Sequence, residues 1–239
     1  VGDDLCRMLG FTIPSEEEEE TGAIRPWGHI TCDGSVANAE SMWAARNVKY
    51  LPVALAAALR EDPRMAPARH VTVRTLRQGR RRLADLDGWT LLNLPIDEAI
   101  GLPTAIAKAS GLSPDVLKAA MTERSVQDLG LLEFHRRYLP DTPAPATMAP
   151  ATAHYSWPKA ASLLGLGRGA VRRIRVDLDA RTDPVALRHE LETCLAEGRP
   201  VVQVVAVVGS TEESAVDPVR EIVAIREEFR ERGLEFSLH

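Results

Sequence analysis

Three short stretches of this 239-residue chain hold residue types that can cradle a phosphate, lie on a flat ring or offer a hydroxyl. The first is Gly28-His29-Ile30-Thr31-Cys32-Asp33-Gly34-Ser35-Val36-Ala37-Asn38, which reads as strand, tight turn and helix. Residues 29–32 are short and contain a β-branched pair, Asp33-Gly34 is a turn signal, and Ser35 suits the N-cap of the helical pattern that follows. A turn that feeds a helix N-terminus combines backbone N–H groups, a hydroxyl and a glycine the ligand can approach closely, which is what a phosphate needs. An ordinary capped turn has the same pattern, so Gly34 and Ser35 do not establish a site by themselves. The second stretch contributes His154 and Ser156, and the third is Gly209-Ser210-Thr211 at the end of a valine-rich run. Each also has a plain structural reading, as a packed histidine, a helix cap and a turn residue. At one sheet edge together, they would suit a flat, phosphorylated ligand with a polar rim.

The elements around these residues are expected to place them at such an edge. Residues 201–208 are nearly all β-branched and are bracketed by helical patterns, as in a central parallel strand buried on both faces. Ile174 and Val176 alternate with Arg173 and Arg175, a half-buried strand. Asp183-Pro184 opens a helix with Leu187, Leu191, Cys194 and Leu195 on one stripe, and Asp217-Pro218 caps another with Val219, Ile222, Ile225 and Phe229. Residues 234–238 return to strand, and a further strand is expected to end near Ala153. Strand, helix, strand, helix, strand implies a mostly parallel α/β sheet flanked by helices, whose ligands sit outside the carboxyl ends of the strands.

Upstream, residues 4–9 read as the end of an amphipathic helix and the acidic run 16–20 as a solvated loop. From residue 51 to 150 the pattern turns alanine-rich and helical, like an insertion. Within it, residues 53–59 read as helix and 71–73 as a brief strand, while the basic run 77–82 reads as a solvated helix face. Ser113-Pro114 and Ser125 are good helix starts, and Pro140, Pro143, Pro145 and Pro150 mark a connection that cannot be helical.

With 45% hydrophobic residues the chain can bury a sizeable core, and a net charge of −5 argues against nucleic acid as its main partner. No stretch is apolar for long enough to span a bilayer, and the start lacks the features of a signal peptide, so a cytoplasmic location without membrane association is expected. Cys6, Cys32 and Cys194 are widely spaced, which implies neither a disulfide framework nor a metal site. The chain does not begin with Met and stops inside a strand-like run, so a piece of a longer polypeptide is expected.

The Gly28–Asn38 stretch, its continuation Glu40-Ser41-Met42-Trp43-Ala44-Ala45-Arg46-Asn47, then His154-Tyr155-Ser156-Trp157-Pro158-Lys159-Ala160 and Val205-Ala206-Val207-Val208-Gly209-Ser210-Thr211, carry a likeness. In that order they resemble the group II pyridoxal-phosphate-dependent amino-acid decarboxylases, and within them the bacterial tyrosine decarboxylase-like branch. The resemblance implies part of a large domain of the aspartate-aminotransferase type, with residues 51–150 as a helical insertion, an amino-acid substrate and a homodimeric parent enzyme. It gives Gly34 and Ser35 the pyridoxal 5′-phosphate anchor, His154 a place flat on the pyridine ring, and Thr211 a hydrogen bond near the phenolic oxygen, with Ser156 a weaker neighbour. Asp217 aligns with an acidic position of related enzymes, though Pro218 favours a helix cap. Lys159 does not sit where the family's Schiff-base lysine does. That lysine and the carboxylate that pairs with the ring nitrogen are expected beyond His239, so this piece alone is expected to be inactive. The parent reaction would convert an aromatic amino acid, tyrosine first, to its amine and carbon dioxide. Another lyase or an aminotransferase-like enzyme of the same cofactor class, or a domain that binds without chemistry, are the other readings.

Overall fold

A short amphipathic segment becomes a helix only where its ends are capped and a face is covered, and the first residues show both conditions at work. The computed structural model describes residues 1–239 and divides them into two compact units, 1–38 and 39–239. In the first unit, α1 (Gly2–Met8) holds the expected helical segment. The acidic run expected as loop is a one-turn helix, α2 (Glu16–Glu20), because Ser15 and Glu18 form a reciprocal capping box. Arg25 ties the two helices together through Asp3 at 2.6 Å and Glu19 at 2.5 Å. Residues 29–32 do not form the expected strand. A strand exists only as a paired element, and residues 1–38 contain no strand to pair with.

The long helix α3 (Gly34–Glu61) runs straight past residue 51, where the sequence pattern changes, and carries Pro52 inside it. An internal proline costs about 3 kcal/mol. Here Tyr50, Val53, Leu55, Ala58 and Leu59 are buried in one core, and that burial outweighs the cost. The same helical core takes in β1 (Thr72–Arg74), α4 (Gly88–Leu92), α5 (Ile96–Ser110), α6 (Pro114–Thr122) and α7 (Val126–Tyr138), while β2 (Arg80–Arg82) is exposed beside β1. Ser113 and Ser125 cap α6 and α7 as expected. The basic run is not a helix face. Arg80, Arg81 and Arg82 pair antiparallel with Arg74, Val73 and Thr72. Gly79, at φ 67°, turns the hairpin, and Thr75 closes it through the Gly79 carbonyl at 2.9 Å.

The α/β part follows: β3 (Ala146–Pro150), α8 (Ser156–Leu163), β4 (Val171–Ile174), α9 (Pro184–Ala196), β5 (Val201–Val204), α10 (Val219–Glu231) and β6 (Ser237–Leu238). The four strands are parallel in the order β4-β3-β5-β6, as the pattern predicts. The strand expected to end near Ala153 ends at Pro150, inside the proline-rich connection, and all five of its residues are buried. Its composition has little strand propensity; its place between β4 and β5 decides its conformation. One face of the sheet packs Met148 and Val204 with Leu187, Leu191, Ile222, Ile225 and Phe229 of α9 and α10. The other packs Ala149 and Val205 with Met42 of α3 and Trp157 of α8. No helix is long and apolar enough to cross a membrane.

A buried cation joins the helical core to the sheet. Lys49 of α3 donates from Nζ to Asn93 Oδ1 at 3.2 Å and to the Glu235 carbonyl, while Asn93 Oδ1 also accepts from the Glu235 N–H at 3.0 Å. The Glu235 carboxylate lies 3.1 Å from Arg230 and 3.5 Å from Arg226. Burial pushes the Lys49 ammonium down to about 7, against the attraction of Glu235. Between that value and the ordinary 10.5 the unfolded chain binds the proton and the folded one releases it. Lys49 therefore makes stability rise as pH goes from about 7 to about 10, with its full penalty present below 7. Urea unfolding across this range should show a shallower rise for Lys49→Met than for the wild type; equal slopes would contradict the assignment.

Candidate active site at the carboxyl ends of β3 and β5

Strand order places the crevice. From β3 the chain goes through α8 to β4, and from β5 through α10 to β6, on opposite sides of the β3–β5 pair. In an open parallel sheet this reversal opens a ligand crevice at the carboxyl ends of the two strands. The segments leaving those ends hold His154 with Ser156 and Gly209-Ser210-Thr211.

The structure brings His154 and Ser156 together. His154 Nδ1 lies 2.9 Å from Ser156 Oγ and accepts the Ser156 N–H at 3.3 Å. Nδ1 is thus the acceptor nitrogen, and in the neutral ring the proton sits on Nε2. Ser156 is buried at the start of α8, directly before Trp157, which anchors the helix on the sheet, whereas His154 stays exposed. The Tyr155 ring lies 4.1 Å from the imidazole, centre to centre. Lys159 is exposed on α8.

The loop after β5 is built differently from its sequence reading. Paired strand stops at Val204, and Val208 then bridges Val216 in antiparallel fashion, so residues 209–215 form a tight loop. Gly209, at φ 98°, and Ser214, at φ 55°, turn it. Ser210 is buried, accepting from the Ala215 N–H at 3.0 Å and donating to Glu213 at 2.9 Å. Thr211 is exposed beside it. Asp217 does not cap α10. Its buried carboxylate accepts the Thr182 N–H at 2.6 Å and the Val207 N–H at 2.7 Å, and so pins the strand extension and the segment before α9. The Asp-Pro pair resembles a helix start; only the return of Val216 onto Val208 turns the carboxylate inward.

A polar row, buried at Thr147 and Gln203, was also missed in the sequence. Thr147 of β3 and Gln203 of β5 are cross-strand neighbours, both fully buried, and Thr147 Oγ1 and Gln203 Oε1 have no hydrogen-bond partner. Gln203 Nε2 donates to Ser41 Oγ at 2.9 Å, which lies 2.8 Å from His239 Nδ1. The His239 ring meets Trp157 edge-on at 5.5 Å, and burial lowers its pKa. A glutamine inside the valine run was the available signal.

In the first unit, Asp33, not Ser35, caps α3. Its Oδ1 accepts from Val36 N at 2.8 Å and its carbonyl from Ala37 N at 3.1 Å, while Thr31 Oγ1 donates to the same carbonyl at 2.7 Å. The Ser35 hydroxyl is therefore not spent on the cap. No atom lies within 4 Å of where a Cβ on Gly34 would stand.

Residues 131–239 match the family model described as the pyridoxal-dependent decarboxylase conserved domain. The chain is 32% identical over 240 residues to an L-tyrosine decarboxylase of Levilactobacillus brevis, covering 100% of this chain and 30% of that protein. It is also 32% identical over 215 residues to an L-tyrosine decarboxylase of Enterococcus faecium, covering 89% of this chain and 29% of the relative. A crystal structure of mouse CSAD aligns with 43% of this chain and 21% of its own at 32% identity, with a TM-score of 0.38. The chain spans about 30% of the length of the curated relatives it matches.

Each unit, taken by itself, holds groups of the kind a phosphorylated pyridine needs. The open space at Gly34, the Ser35 hydroxyl and the Gly34 and Ser35 N–H groups of α3 are donors of the kind a phosphate needs, beside the Asp33 carboxylate that takes the Val36 N–H. His154 offers an exposed imidazole whose tautomer is set by the backbone. Asp217→Ala, which strands two buried N–H groups, should destabilise residues 39–239 by about 3 kcal/mol. Hydrogen exchange of the Val207 and Thr182 amides should accelerate with it; unchanged protection of both would refute the pinning role.

Proposed function

We propose, on the match of residues 131–239 to the pyridoxal-dependent decarboxylase domain model, that the full-length protein is a pyridoxal 5′-phosphate-dependent carboxy-lyase that converts an aromatic amino acid, L-tyrosine first, to its amine and carbon dioxide. The observation that carries the reading is the His154–Ser156 pair leaving the carboxyl end of β3 at the sheet's switch point. When bound, the cofactor supplies an electron sink for the pair released as the Cα–carboxylate bond breaks. The chain's own residues do the positioning. Gly34 and Ser35 hold the phosphate, His154 lies on the pyridine face with its ring plane set through Nδ1 by Ser156, and Thr211 donates its hydroxyl to the ring's oxygen substituent. Asp217 keeps the segment that carries Thr211 in place. The preference for tyrosine is supported by the two relatives named L-tyrosine decarboxylases, and the family resemblance supports a homodimer acting in the cytoplasm.

The test is amine release by the full-length protein with pyridoxal 5′-phosphate over a panel of amino acids, with tyramine expected and activity on glutamate alone refuting the assignment. His154→Ala should lower kcat by about a hundredfold, the scale of a misplaced reacting group. Ser156→Ala should lower it less. Ser35→Ala should weaken cofactor binding by about tenfold, near 1.4 kcal/mol. A His154→Ala enzyme as fast as the wild type would remove the proposed role of the imidazole.

A further inference from the structure

Away from the switch point, residues 39–239 contain a second cleft, of about 340 Å³, walled by the turn between β1 and β2, by α4 and by the Arg232-Gly233 turn after α10. Most of its polar groups are committed within the protein. Thr75 Oγ1 donates to the Gly79 carbonyl, Thr90 Oγ1 to Asp87 and Asn93 Nδ2 to the Trp89 carbonyl. Arg232 pairs with Glu192 at 3.3 Å and Glu228 at 3.7 Å and lies over the Phe229 ring. The Arg77 guanidinium, the Gln78 side-chain amide and the Trp89 indole N–H have no such partner, while the Gln78 backbone N–H donates to Thr75 Oγ1.

The backbone is shaped for Arg77 to lie there. Gly233 has φ 91°, and a Cβ at that position would stand 2.9 Å from Arg77 Cδ, so the missing side chain is what lets the arginine stem cross the turn. Beneath the cleft, Asn93 takes a hydrogen bond from the buried Lys49 ammonium. The Lys49 ammonium bonds the Glu235 carbonyl, while the half-buried Arg226 and Arg230 pair with the buried Glu235 carboxylate and Arg230 also with Glu227. The acids at the rim are held: Asp87 by Thr90, and Glu192 and Glu228 by Arg232.

We propose that this cleft binds a small phosphate-bearing molecule with a planar ring, of mononucleotide size, the phosphate on Arg77 and the ring against Trp89. A guanidinium fork matches phosphate geometry, an indole offers a surface on which a planar ring stacks, and a cleft of this volume holds a ligand of that size. The inference does not depend on the decarboxylase reading, and its readout is binding, not turnover.

The test is calorimetric titration of the full-length protein, with its cofactor bound, using AMP and inorganic phosphate as probes. AMP should bind and phosphate should compete with it. Arg77→Gln, an exposed position that leaves the fold and amine release unchanged, should weaken both by about tenfold or more. Trp89→Leu should weaken AMP and leave phosphate unchanged. If neither probe binds at millimolar concentration, or if Arg77→Gln binds both like the wild type, the proposal is overturned.

Discussion

A parallel sheet cannot leave either face in water, because its strands are joined by crossovers that must lie over it, and most of residues 39–239 answers to that constraint. β3 and β5 form the middle pair and are buried along their whole length. Covering them takes α9 and α10 on one side and α3 with α8 on the other. Covering both sides from one chain forces the connections to diverge after β3 and after β5. The crevice that results is a by-product of the burial requirement, and it is where the chemistry-bearing loops emerge.

The polar groups inside this frame act as locating pins. Asp217 satisfies two backbone N–H groups from segments far apart in sequence, Gln203 reaches Ser41, and Lys49 meets Asn93 and the Glu235 carbonyl. A buried polar group without a partner is costly, so each such pairing selects one relative placement of its elements. Apolar packing is tolerant of small shifts by comparison. The loop behind Thr211 and the junction of α3 with the sheet are therefore set more by these few bonds than by the surrounding hydrophobic area.

Local chemistry made much of the fold readable in advance. Ser113, Ser125 and Asp183 cap the helices they were expected to cap, since a cap depends on residues within a single turn. The amphipathic stripes of α9 and α10 are equally local, and the valine run announces a buried strand wherever it is placed. His154 and Ser156, two residues apart, were legible as a pair for the same reason. The failures share a cause. β3 has poor strand propensity and sits among prolines, residues 29–32 have good propensity and no partner, and residues 80–82 look helical but pair with 72–74. In each, the presence or absence of a pairing strand settled the conformation.

By itself the sequence determined the capped starts of α6, α7 and α9, the α/β character of the second half, the family likeness and the residue types able to meet a phosphate and a ring. Only the tertiary structure decided that Asp217 pins the extension of β5 and the segment before α9 instead of starting a helix, and that the buried Thr147 and Gln203 join Ser41 and His239 in one polar row. The physical reason is range. Caps and stripes are contacts between residues three or four apart, whereas a hydrogen bond such as Gln203 to Ser41 exists only after the sheet has brought distant segments within reach.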